Sequence, residues 1–221
     1  MIQYILFDLD DTLYPTAAGL MHEISARMSE FMVEQAGISR QEVDRVRRDY
    51  WSRYGTTLRG LYIERHIDAP AFLDYVHDVD LAKYLRPDSR LDATLAALPQ
   101  TKSIFTNAPA NYARRVLRAL GVEKHFVEIY DINFIAYESK PTPSAYAKVA
   151  SALPVRADAC AMIDDTARNL VPAKQLGMQT VWLDGNDNPR AEEGKESADF
   201  VIQTIYDVTK ILGGFGFGAE R

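Results

Sequence analysis

A single cysteine, Cys160, stands in a chain of 221 residues. No disulfide can close within the chain, so a small disulfide-stapled secreted scaffold is excluded and the reducing cytoplasm is the expected compartment. Long apolar runs are missing too: nothing approaches the roughly 18–20 residues that a membrane span needs. Asp8 interrupts the opening apolar stretch almost at once, which speaks against a secretory leader. Positive charge is in deficit, with 25 Lys and Arg against 31 Asp and Glu and a net charge of −6. That balance removes any generic attraction to nucleic acid or to an anionic membrane. The one basic stretch, residues 40–53, interleaves Glu42, Asp44 and Asp49 with its arginines and reads as a solvated helix face. Internal repeats are absent. The only biased segment is the glycine-rich tail at 213–218, where so much glycine cannot repay its ordering entropy and the chain is expected to fray.

What remains is an ordinary globular composition, 47% hydrophobic and 25% charged, enough for one main core and a second, smaller unit. Short apolar runs at 2–8, 102–106, 159–164, 179–183 and 199–202 read as buried strands. Amphipathic stretches at 112–120, 144–153 and 168–176 separate most of them. Strand and helix in alternation predict an α/β fold, a parallel sheet covered by helices on both faces. Residues 16–86 break the alternation. Leu20, Ile24, Met28, Phe31 and Met32 keep helical spacing, as do Val43, Val46, Tyr50 and Tyr54, and no strand is convincing there. This stretch is expected to be an inserted bundle of about four helices, with Pro15 and Pro87 near its two crossings as hinges.

Four motifs fall at the carboxyl ends of predicted strands, where open α/β sheets place their ligand crevice. Asp8, Asp10, Asp11 and Thr12 follow the first strand. Residues two apart on a strand share a face, so Asp8 and Asp10 converge if the strand continues, and two close carboxylates call for a cation or a shared proton. By itself such a pair also fits a surface turn. Thr106 and Asn107 end the second strand; a hydroxyl and backbone amides there suit phosphate oxygens, and equally a helix N-cap. Lys140, before Pro141, Thr142 and Pro143, can neutralise a phosphate and a carboxylate together, or be a solvated charge. Asp164, Asp165 and Thr166 follow a buried strand and suit a hard cation, or cap a helix.

In this order the four motifs resemble those of the haloacid dehalogenase superfamily. The resemblance covers residues 1–15 and about 87–210, and the helical stretch is similar to the cap of members with all-helical caps. It implies a Rossmann-like core of residues 1–15 and 87–221, an inserted cap of residues 16–86, a Mg²⁺ ion and a phospho-aspartyl intermediate. By the same resemblance Asp8 is the nucleophile and Asp10 protonates the leaving oxygen and then activates water. Leu9, Asp10, Thr106, Asn107 and Lys140 bind the phosphoryl group. The metal is held by Asp8, the Asp10 carbonyl, Asp164 and Asp165, with Asp165 the direct ligand of that pair. The approach to the lysine, Ile135 through Ser139, lacks the glycine often found there, which leaves the conformation of that loop open. The dehalogenases themselves lack an acid two residues after the nucleophile, so Asp10 favours phosphoryl chemistry.

Substrate choice is expected in the cap, which faces the leaving group. Tyr54, Gly55, Thr56, Thr57, Leu58, Arg59, Gly60 and Leu61 resemble a segment of pyrimidine 5′-nucleotidase-like members, as do Tyr14-Pro15 and the run from Asp164 to Asn169. A pyrimidine nucleoside 5′-monophosphate is therefore the expected substrate of this phosphohydrolase, with Tyr54 stacking and Arg59 pairing with polar groups; a plain helix-to-helix turn is the alternative for that segment. A sugar-phosphate phosphatase or a phosphomutase of the same superfamily would keep all four motifs. A non-catalytic binding module is the rival from another class, and the presence of Asp8, Asp10, Lys140 and Asp165 together weighs against it. The expected partner is a small phosphate ester, with no nucleic acid and no membrane, for a monomer or a homodimer.

Overall fold

The computed structural model describes residues 1–185 and 192–213. The expected loose tail therefore lies, apart from Gly213, outside the described residues. Six parallel strands form one sheet: β1 (Tyr4–Phe7), β2 (Thr101–Phe105), β3 (Ile129–Tyr130), β4 (Cys160–Asp164), β5 (Gln179–Leu183) and β6 (Phe200–Ile202). Their order in space is β3-β2-β1-β4-β5-β6. The chain leaves β1 to pair first with β2 on one side and later with β4 on the other, so the topological switch falls at the carboxyl end of β1.

The inner strands are buried on both faces, and their side chains divide between two apolar clusters with the two-residue period of a strand. Ile5 and Phe7 of β1 and Ala161 and Ile163 of β4 join one cluster. Tyr4 and Leu6, with Cys160 and Met162, join the other. The first face is covered by α5 (Ser89–Ala96), α6 (Ala110–Leu120) and α9 (Val208–Leu212), the second by α7 (Pro143–Ala152) and α8 (Leu170–Gln175). Each fully buried Leu or Phe contributes about 1.5–3 kcal/mol by leaving water. β3 has only two residues, too few to show a pattern, and is the strand that the sequence reading lacked.

Between β1 and β2 the chain runs through α1 (Leu20–Glu34), α2 (Val43–Tyr54), α3 (Thr57–Arg65) and α4 (Ala69–His77) before reaching α5. Local chemistry sets their ends. Thr56 caps α3 by accepting from the Arg59 N–H at 3.1 Å, and Asp68 caps α4 through the Ala71 N–H. Gly55, at φ +88°, ends α2. A Cβ there would lie 2.7 Å from the Lys140 carbonyl oxygen, so only glycine permits this approach. No helix among the described residues is long and apolar enough to cross a membrane.

Candidate active site

Strand register brings the acids together. Phe7 lies opposite Ile163, and the Asp8 N–H donates to the Ile163 carbonyl at 2.9 Å, so Asp8 and Asp164 leave neighbouring strands side by side. Lys140 Nζ stands between them, 2.7 Å from Asp8 Oδ1 and 2.7 Å from Asp164 Oδ2. Burial alone would push this lysine down, but the carboxylates of Asp164 and Asp8 hold it protonated. Its position is fixed by Asn107, whose side-chain oxygen accepts from the Lys140 N–H at 2.8 Å and whose amide donates to the Lys140 carbonyl at 3.3 Å. The Asn107 side chain thus clamps the lysine from both sides of its peptide unit, while the residue itself lines the cavity.

The loop before Lys140 answers the question that its missing glycine raised. Ala136 and Tyr137 both adopt the left-handed conformation, at φ 53° and 61°. Each costs roughly 1–2 kcal/mol in a non-glycine residue. The Ile132 carbonyl accepts from the Tyr137 N–H, and Ile135 packs into the core, which together hold the turn.

Asp8, Asp164 and Asp165 offer carboxylate oxygens within 4.8 Å of one another. Burial, moderated by Lys140 and reinforced by the charge of Asp164, pushes Asp8 up to about 7. Burial and then the charges of Asp164 and Asp8 push Asp165 well above the usual carboxylate range. One lysine does not neutralise this group. Asp164 is also held by its neighbours, with Oδ1 accepting from the Thr166 N–H and from Asn169 Nδ2, each at 2.9 Å. Thr12 ties the first motif to the last: its hydroxyl accepts from the Asp165 N–H at 3.2 Å and lies 3.5 Å from Asp8 Oδ2. All the donors are hard oxygens in surplus negative charge, a set that fits a divalent cation of the magnesium class.

Beyond β1 the backbone turns through Asp11, left-handed at φ 58°. The N–H groups of Leu9, Asp10 and Asp11 donate to no acceptor among the described residues, nor does that of Asn107. Successive amides around an αL residue form an anion-binding nest. The strand ends at Phe7, before Asp8 and Asp10, and both acids line one cavity of about 380 Å³. Its Oδ1 accepts from Tyr14 Oη at 2.5 Å and from Tyr112 Oη at 2.9 Å. Burial raises the Asp10 carboxyl, and the two phenols act against that rise. Thr106 also reaches the cavity, with its Oγ1 accepting from the Ala108 N–H at 3.0 Å.

Tyr54 and Arg59 are not brought to this cavity. Tyr54 Oη donates to Glu64 at 2.7 Å, and its ring lies under the Arg53 guanidinium. Arg59 donates to the Tyr137 carbonyl at 3.1 Å, because the Thr56 cap turns the first turn of α3 toward the Lys140 loop. Ser139 Oγ donates to the Tyr54 carbonyl at 3.3 Å, so the whole segment grips that loop. Its neighbours Gly55, Thr56, Thr57 and Leu58 line the cavity in its place.

Several lining residues carried no role in the sequence reading. Arg47, counted there in a solvated helix face, turns inward to line the cavity, and its buried Nε has no partner among the described residues. Trp51, one helical turn on, stacks on Arg168 with the guanidinium carbon 3.2 Å from the ring centroid. Arg168 donates to the Trp51 and Gly55 carbonyls, joining α2 to the fourth motif. Thr12, Tyr14 and Asn169 stood within the motifs, and spacing could have found them. Tyr112 shares the apolar stripe of α6 and gave no signal.

A parallel sheet with four acids and a buried lysine at its switch point defines a hydrolase core of one known type. The family of haloacid dehalogenase-like hydrolases matches residues 2–177, and the chain belongs to it. It is 29% identical over 192 residues to "Phosphate metabolism protein 8" of Saccharomyces cerevisiae, covering 78% of this chain and 58% of that protein. The chain thus spans little more than half the length of that relative. It is 22% identical to "Phosphoglycolate phosphatase" of Vibrio parahaemolyticus over 96% of both chains. In three dimensions it is similar to a HAD phosphatase from Thermococcus onnurineus, with a TM-score of 0.63, 23% identity, and 96% and 99% of the two chains covered.

Proposed function

We propose that this chain is a phosphatase that cleaves a small phosphate monoester through a phospho-aspartyl intermediate on Asp8. The observation that carries the proposal is the placement of Asp8 against Lys140, beside a row of unpaired backbone amides and in one cavity with Asp10. An Asp8 oxygen attacks phosphorus and the ester P–O bond breaks. The leaving oxygen takes a proton from Asp10, whose burial raises its carboxyl toward a proton-holding state. Water then attacks phosphorus, Asp10 accepts its proton, and the acyl-phosphate P–O bond breaks to release phosphate. The Leu9, Asp10, Asp11 and Asn107 amides, Thr106 and Lys140 receive the phosphoryl oxygens. Mg²⁺ would be held by Asp8, Asp165 and the Asp10 carbonyl, with Asp164 beside them, and would supply charge neutralisation to the phosphoryl group. In this reading residues 16–86 form a cap over a core of residues 1–15 and 87–221.

For the leaving group we favour a pyrimidine nucleoside. Tyr14-Pro15, the run from Tyr54 to Leu61, and Asp164 through Asn169 support it, as does a cavity wall with an aromatic ring at Trp51 and an unpaired donor at Arg47. The Vibrio relative's name supports a second reading, a small organic or sugar phosphate. Phosphate release with Mg²⁺ from a panel of UMP, CMP, AMP, phosphoglycolate and hexose phosphates decides between them. UMP or CMP should give the highest kcat/KM. A lead for phosphoglycolate would transfer the assignment to the second reading, and an isomerised sugar phosphate without free phosphate would make the chain a mutase.

Two further results are expected. Arg59→Ala lowers hydrolysis of UMP and of p-nitrophenyl phosphate by one common factor, because it loosens the Lys140 loop and touches neither leaving group. A loss confined to UMP would return Arg59 to the substrate. The second concerns pH. The folded, metal-free protein keeps a proton on Asp8 up to about 7, whereas the unfolded chain releases it near pH 4. The folded state therefore binds the extra proton across that window, and this contribution to stability falls as pH rises from about 4 to about 7. Cation binding must displace the proton below about 7 and is unopposed above it. At a hundredfold excess over Kd, Mg²⁺ should raise the melting temperature by roughly 5–11 °C at about pH 8, and by clearly less at about pH 5.5. Equal gains at both values would contradict the metal assignment.

A further inference from the structure

We propose that Tyr14 and Tyr112 are positioning residues for Asp10, holding its carboxylate so that one oxygen faces the leaving group. The inference rests on the reading of Asp10 as the proton donor. Both phenols donate to the same atom, Oδ1, at 2.5 and 2.9 Å. Oδ2 has no hydrogen-bond partner among the described residues, and the residue lines the cavity. Two donors on one oxygen restrain the rotation of the carboxylate more than a single donor does. They come from distant parts of the chain. Tyr14 lies in the turn after β1, four residues beyond Asp10, and Tyr112 in the first turn of α6.

Neither phenol is free to move. The two tyrosines are 3% and 1% exposed. The Tyr112 ring packs on His77, the last residue of α4, with 4.4 Å between centroids. His77 is itself held by a hydrogen bond between Nδ1 and the Leu73 carbonyl at 2.8 Å. One turn along α6, Arg115 donates to the His77 carbonyl at 3.0 Å and to the Val79 carbonyl at 2.5 Å. The end of α4 thus braces the phenol that braces Asp10. This gives the helices between β1 and β2 a part in proton transfer without contact with the phosphoryl group.

The experiment compares an alkyl phosphate with p-nitrophenyl phosphate in Tyr112→Phe and Tyr14→Phe, each made in the parent and in Asp10→Asn. Phenylalanine removes only the O–H group and keeps the packing on His77. Each change should lower kcat for the alkyl ester roughly tenfold, the worth of one lost hydrogen bond to a charged group, with KM unchanged and the aryl ester nearly spared. The ratio of the two rates is read within one preparation, so it is independent of the folded fraction. In the Asp10→Asn background neither tyrosine change should lower the alkyl rate further. Equal losses on both esters, or losses that add to that of Asp10→Asn, would overturn the positioning role and leave Asp10 as the acid. An Asp10→Asn enzyme indifferent to the leaving group would overturn the reading of Asp10 itself, and the inference with it.

Discussion

Asp8→Asn should abolish turnover, lowering kcat by roughly 10⁴-fold or more, while leaving the protein folded. The size of the effect follows from covalent catalysis: without the carboxylate no acyl phosphate forms, and the remaining donors can only bind the substrate. The fold survives because asparagine has nearly the same volume and because Lys140 keeps Asp164 as its partner at 2.7 Å. Burial holds Asp8 at about 7, so above that pH the native metal-free site carries a charge that the amide lacks. The melting temperature of the metal-free variant at about pH 8 should therefore be no lower than that of the parent. Loss of activity together with loss of folding would point to a structural acid. Activity within tenfold of the parent would remove Asp8 from the chemistry altogether.

Asp10→Asn should slow an alkyl phosphate by about 10²–10⁴-fold and p-nitrophenyl phosphate far less, since general acid catalysis is worth that much only to a poor leaving group. The geometry makes the comparison clean. Asparagine can still accept from Tyr14 and Tyr112 through its side-chain oxygen, so the side chain stays in place and only the transferable proton is lost. The rates of the two esters should then diverge in kcat and not in KM. A common loss on both would assign Asp10 to holding the metal or shaping the turn.

Much of the core was legible because its signals are local. The runs that became β1, β2, β4 and β5 are mostly apolar and buried on both faces, as inner strands of a parallel sheet must be, and β1, β2 and β4 each lead into a residue that meets the cavity or the acids. Asp8, Asp164 and Lys140 converge because three loops meet at the sheet's switch point, a consequence of topology that motif order already implied. Other features depended on which way a side chain turns, and no pattern carries that. Arg47 has the charge and spacing of a solvated face, yet it is half-buried and lines the cavity. Arg59 sits next to residues that line the cavity, but the Thr56 cap and the Tyr137 carbonyl draw it to the core loop. Ala136 and Tyr137 adopt a backbone that glycine would favour, and only tertiary packing holds them there. Tyr112 reads as one more apolar residue of α6 until its hydroxyl is seen on Asp10.

The central claim is that Asp8 itself becomes phosphorylated. The measurement that tests it most directly is acid quenching of the enzyme during turnover with Mg²⁺ and a substrate labelled in its phosphoryl group, followed by peptide mapping. The account predicts that the label resides on the peptide containing Asp8, resists acid, is released by hydroxylamine, and is absent from Asp8→Asn. Turnover with no label on the protein, or with label on a peptide that lacks Asp8, would contradict it.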